Sequence, residues 1–172
     1  NGVDTKSLTF NPKISVGRGL IYVGNMDYRP NIDAVLFFCK EVLPLLVQMD
    51  DRFYFTIVGI NPRQEVVDLE SDHVTVTGMV ADVVPWYAKS DICVVPLRAG
   101  GGTRLNILEA MALGCPVVST AVGAEGLDLE DGRHILIADD PSSFVRQIFG
   151  LLQNEEVRQR MILSARQQVE SV

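Results

Sequence analysis

The chain has 172 residues, enough to bury one substantial hydrophobic core and too few for two, so a single domain is expected. Apolar residues make up 47% and charged residues 22%, with a formal net charge of −7, which argues against nucleic acid or an acidic membrane surface as the main partner. No run of about 18 uncharged apolar residues exists and nothing resembles a signal peptide, so no transmembrane segment is expected. Cys39, Cys93 and Cys115 are odd in number, widely spaced and each in apolar company; the pattern predicts buried free thiols of a reducing compartment.

Short apolar segments alternate with longer amphipathic ones, which predicts right-handed βαβ units. The expected fold is a Rossmann-like three-layer α/β sandwich around a central parallel sheet of about six strands. The first strand is expected over 20–24. A helix over 31–49 follows, with Ile32, Val35, Leu36, Cys39, Leu43 and Leu46 on one face and a kink at Pro44. Next come a strand over 53–59, a short turn over 63–68, a strand over 73–77, and a helix capped by Asp82 with Pro85 in its first turn. Strands over 92–95, 116–120 and 135–137 follow, with a helix over 103–113 between the first two; helices over 141–152 and 155–171 close the chain. In an open parallel sheet a ligand sits beyond the carboxyl ends of the strands, where strand order reverses. The exits at Gly24, Gly59, Gly78 and 96–103 converge on one such edge.

The densest chemistry lies in 99–127, AGGGTRLNILEAMALGCPVVSTAVGAEGL. Gly100, Gly101 and Gly102 make a turn whose amides a ligand can approach closely, and the helix after it offers unpaired amides and the positive end of its dipole; both suit an anion. Arg104 is expected in the first turn of that helix, where a cation is disfavoured unless it serves an anion such as phosphate. Glu109 interrupts Leu105, Ile107, Leu108, Ala110, Met111 and Ala112 with a charge that needs donors. An ionised carboxylate only accepts hydrogen bonds, and a vicinal diol such as that of ribose supplies two at matching separation. The bland alternatives are a solvated helix face, a plain loop and a solvated arginine.

The same residues resemble a family hallmark, E-x7-E-A-M-A-x-G-x-P-V-V-x-S/T, of the group-1 retaining glycosyltransferases of family 4, which have a GT-B fold. Glu109, Ala110, Met111, Ala112, Gly114, Pro116, Val117, Val118 and Ser119 fit its second half. LIYVGNMDYRPN is similar to the family's first strand and phosphate loop, FTIVG to its second strand and VTVTGMV to its nucleobase loop, while GAEGL and ADDPSSFVRQIFGLL extend the likeness. The resemblance implies the C-terminal, donor-binding half of a transferase that moves a sugar from a nucleotide diphosphate to an acceptor hydroxyl with retention. It places Glu109 on the ribose, and Arg104 with the amides of Gly100, Gly101, Gly102 and Thr103 on the pyrophosphate or sugar. Gly24 and Asn25 would open the diphosphate loop, and backbone groups of Met79 and Val80 would hold the base. Neither metal nor cofactor is implied, the nucleotide sugar being a substrate. Acceptor and catalytic groups would come from the protein's own N-terminal domain, which would also carry any contact of this otherwise cytoplasmic protein with a membrane. Asn1-Gly2-Val3-Asp4 and Phe10-Asn11-Pro12 resemble the family's interdomain linker, so 1–16 is expected to be linker and the chain a fragment.

Two departures from the family stand out. Gly101 occupies the position of the hallmark's first glutamate, which contacts the donor sugar, so the amides of Gly101, Gly102 and Thr103 are expected to take over. The loop after the first strand holds a single basic residue, Arg29, where the family usually has an Arg and a Lys. The rival readings are a sugar-nucleotide epimerase or phosphorylase-like protein of the same fold, and a non-catalytic nucleotide-binding or receiver-like interaction domain. His73 and His134 have no ligand-spaced carboxylate or cysteine, Trp86 and Tyr87 read as helix packing residues, and neither GxGxxG nor GxxxxGK occurs.

Overall fold

The computed structural model describes residues 3–12 and 16–172. Among them, six strands form one parallel sheet in the order β3-β2-β1-β4-β5-β6. They are β1 Gly19–Val23, β2 Tyr54–Val58, β3 Val74–Val76, β4 Ile92–Val95, β5 Val117–Ser119 and β6 Leu136–Ile137, one for each expected strand. β4 is apolar at every position because helices cover both faces of the sheet, leaving neither side for water. Order reverses between β1 and β4, where Ile21 is registered with Thr56 on one side and Cys93 on the other. Asp91, just before β4, locks this seam from below by accepting hydrogen bonds from the amides of Gly17 (3.0 Å) and Gly19 (2.8 Å).

The helices are α1 Arg29–Phe37, α2 Leu43–Met49, α3 Gln64–Val67, α4 Val84–Lys89, α5 Leu105–Leu113, α6 Ala121–Ala124, α7 Pro141–Gln153 and α8 Glu155–Glu170. The single helix expected over 31–49 is two, joined by a π turn over Phe38–Val42. Pro44 explains the break: it lacks an N–H and its ring crowds the carbonyl four residues back, and the amide of Leu43 reaches five back, to Phe38. The extra residue rotates the apolar face. Phe38 and Val42 become fully buried, while Leu36 and Cys39, expected in the core, are only partly covered. Phe38 fills the space under β2, its ring 4.7 Å from that of Phe55 and 5.9 Å from that of Phe144 on α7.

Side chains cap α6, α7 and α8. Asp140 and Ser143 form a reciprocal capping box at α7, and Asn154 caps α8. Asp82 accepts the amide of Val84 at 2.9 Å, yet Val83 stands at the cap position. The one-turn α6, capped by Thr120 through the Gly123 amide, was not expected. α5 begins at Leu105, not at 103, because Arg104 precedes it with a left-handed backbone, φ +53°. Cys93 and Cys115 are buried as expected; Cys39 is the exception, although what cover it has pushes its thiol up to about 12.

Asn1 and Gly2 of the expected linker, and residues 13–15, lie outside the described residues. Residues 3–12 are pinned to the rest of the domain. Arg166 on α8 donates to the carbonyls of Thr5 (3.0 Å), Leu8 (3.2 Å) and Ala112 (2.5 Å), with its guanidinium over the Phe10 ring.

Candidate functional site: a cleft at the β1–β4 switch point

A cleft of about 300 Å³ opens where β1 and β4 part at their carboxyl ends. The β1 side supplies Tyr22, Gly24, Tyr28 and Asn31; the β4–α5 side supplies Gly101, Gly102, Arg104, Asn106 and Glu109. Glu109 lies on α5, half-buried, and burial raises the pKa of its carboxyl. It has no hydrogen-bond or ion-pair partner among the described residues. A desolvated carboxylate turned toward an open cleft with no internal donor is a vacant acceptor.

Arg104 shares the cleft in a different pose from the expected one. Its side chain is buried, and Nη2 donates to the carbonyls of Gly100 (2.8 Å) and Val122 (2.9 Å), while Nε is buried without a partner. The guanidinium therefore ties the glycine turn to α6. The turn itself is exposed, with Gly100 at φ +99° and Gly102 at +143°. Gly101 is different: its φ is ordinary and a side chain there would enter open space.

On the opposite wall, the β1–α1 loop is held by its own polar network. Tyr22 donates from Oη to Asn31 Oδ1 at 2.6 Å, Asn31 Nδ2 donates to the Asn25 carbonyl at 3.0 Å, and Asn25 Oδ1 accepts the Asp27 amide at 3.0 Å. Gly24 donates its amide to Val58 at 2.9 Å. Gly59, at the neighbouring strand exit, comes so near the Gly24 carbonyl that a Cβ would sit 1.6 Å from that oxygen; no larger residue fits. Arg29, the loop's lone basic residue, pairs at the surface with Glu65 at 2.5 Å.

Thus Glu109, Arg104, Gly101, Gly102 and Gly24 line one cleft. Gly100 and Asn25 support it, and Thr103 lines an adjoining cleft of about 440 Å³ that shares Gly102 and Arg104. Met79, 79% exposed, and Val80 follow β3, two strands away from β1, and do not line the cleft. Tyr22, Asn31 and Asn106 are site residues that the sequence reading missed. The available signal was spacing: Asn106 is three before Glu109, on the same helical face. Tyr87 is buried and donates to the Asn106 carbonyl at 3.1 Å, and Trp86 carries Lys89 over its ring, packing roles as expected. His73 faces the Phe53 carbonyl and His134 accepts the Glu130 amide, both away from the cleft. No described helix is long and apolar enough to cross a membrane.

Residues 17–154 match the family model described as glycosyl transferases group 1. A phosphatidyl-myo-inositol mannosyltransferase of Mycobacterium leprae is 26% identical over 98% of this chain and 47% of its own length. The chain spans between 34% and 47% of the length of the curated relatives it matches. Among solved structures, the C-terminal domain of a group 1 glycosyl transferase family protein from Francisella tularensis superposes with a TM-score of 0.71 at 20% identity, covering 99% of this chain and 97% of that one. The Anabaena protein HepE, in complex with UDP-glucose, gives 0.73 at 17% identity over 90% of this chain and 44% of its own. With most of its length matched by the family model, the chain belongs to the group 1 glycosyl transferases.

Proposed function

We propose that this domain binds the nucleotide-diphospho-sugar donor of a retaining, GT-B-type glycosyltransferase, and that the acceptor and catalytic groups come from an N-terminal domain of the same protein. The observation that carries the reading is Glu109, a half-buried carboxylate without a hydrogen-bond partner among the described residues, lining a cleft at the switch point of a parallel sheet. Its chemistry suits the two hydroxyls of ribose. Support also comes from the relatives' names and from UDP-glucose in the Anabaena structure.

In this reading the Gly100–Thr103 amides face the diphosphate and sugar, where they stabilise the leaving diphosphate as negative charge gathers on it. Arg104 holds the turn through its two carbonyl contacts and adds positive potential near the phosphates. In the same reading Gly24 and Asn25 border the diphosphate from the β1 side, and backbone groups of Met79 and Val80 hold the base beyond the cleft. No metal is required for these roles, because amides and a guanidinium supply the positive charge. The test is a thermal-shift panel of UDP, GDP, ADP and their sugars on the 172-residue chain. One nucleotide series should raise the melting temperature with a concentration dependence set by its Kd, and no response to any of them would refute the reading.

A further inference from the structure

The cleft holds two carboxamides whose orientation is fixed by backbone groups. Asn106 Oδ1 accepts the Ile107 amide at 2.9 Å and its Nδ2 donates to the Val23 carbonyl at 3.2 Å. Asn31 Nδ2 donates to the Asn25 carbonyl at 3.0 Å while its Oδ1 takes the proton of the buried Tyr22 hydroxyl at 2.6 Å. A backbone N–H can only donate and a carbonyl only accept, so neither amide can be flipped. Each Nδ2 carries two protons and uses one, which leaves one N–H apiece on opposite walls of the same cleft.

We infer that Asn31 and Asn106 are ligands of the donor's diphosphate and replace, with neutral donors, the basic side chains that this chain's β1–α1 loop does not offer; the inference rests on the proposed donor-binding function. Arg29 is turned away into its pair with Glu65, and no lysine among the described residues lines the cleft. Asn106 lies three residues before Glu109, about 4.5 Å toward the start of α5 at 1.5 Å rise per residue. A nucleotide whose ribose sits on Glu109 therefore runs against the helix direction. Its first phosphate comes beside Asn106 and its second beside the glycine turn, at the positive end of the helix. Asn31 meets the same phosphates from across the cleft, held there by Tyr22.

Calorimetry of UDP, GDP and ADP, and of the matching nucleosides, against the parent chain, Asn106→Ala, Asn106→Asp and Asn31→Asp tests this. Melting curves and circular dichroism establish that each variant is folded. Removing one donor to a charged ligand should weaken the diphosphate that binds the parent about tenfold or more in Asn106→Ala, and Asn106→Asp should lose at least about tenfold again by repulsion. Asn31→Asp should show the same loss, carrying the test alone if the Asn106 variants do not fold, while nucleoside affinity changes by less than about threefold. A merely structural role, through the bond to Val23, predicts Ala and Asp variants equally impaired and nucleoside and diphosphate weakened alike; either result overturns the inference. A parent that binds a diphosphate while every folded variant binds it equally well overturns the inference alone. A parent that binds none overturns the donor-site reading as well.

Discussion

Glu109→Gln should stabilise the empty domain and weaken its ligand, opposite effects from one atom change. In the empty state the carboxylate is desolvated without a partner, so folding raises its pKa. Below the usual carboxylate range the parent is neutral when folded and unfolded, and it matches the amide variant. As pH rises through the raised folded-state value, the parent must ionise a poorly hydrated group and loses stability that the variant keeps. The gap opens across that interval and persists at neutral pH. Because Glu109 is only half-buried, water screens it and the gap is small beside the ligand effect. Hydrogen bonds to a charged acceptor contribute about 1.5–3 kcal/mol, so the amide should weaken nucleoside diphosphate by about 10- to 150-fold. The assay is a set of thermal melts between about pH 4 and pH 8, with and without the best nucleotide of the panel. A glutamine variant that melts below the parent at neutral pH would refute the desolvation argument, and equal ligand-induced shifts would refute the ribose role.

The glycine turn should discriminate between neighbours. Gly101→Glu, with ordinary φ and open space, should fold as the parent does and tighten a nucleotide sugar relative to its nucleoside diphosphate; an unchanged ratio argues against a sugar contact there. Gly102→Val, forced to φ +143°, should lose about 1–3 kcal/mol in chemical denaturation, and a neutral result would mean the turn relaxes freely. Arg104→Ala should lower unfolding free energy by about 1–3 kcal/mol by leaving the Gly100 and Val122 carbonyls unpaired; undiminished stability would show that the guanidinium does not hold the turn.

All six strands were legible because each is a short apolar or β-branched run ended by a turn, and in the central strands burial on both faces leaves little else for such runs to become. Glu109 was legible for a related reason, as a charge among core residues. What escaped depended on contacts remote in sequence. The π turn required knowing how Pro44 relieves its clash, and Phe38 enters the core in place of Cys39 only through that choice. The left-handed backbone of Arg104 is rare outside glycine, and what accompanies it, the carbonyls of Gly100 and Val122, becomes adjacent only in the fold. Asn31 and Asn106 look like ordinary helix-start polar residues until β1 and α5 are set side by side.

The Asp91 lock has a kinetic consequence. It joins Gly17 and Gly19 to a partner 74 and 72 residues later, and closing so long a loop costs on the order of 4 kcal/mol of chain entropy before β4 pairs with β1. β1 and β2 can zip together early, since the chain between them is shorter and carries its own helices, whereas the central seam must wait for β4 to arrive. The ligand cleft is the top of that seam, so it comes into being only once that closure has been made. A chain in which β4 has not yet joined β1 would lack the binding site, and nucleotide affinity regained during refolding would serve as a clock for that joining.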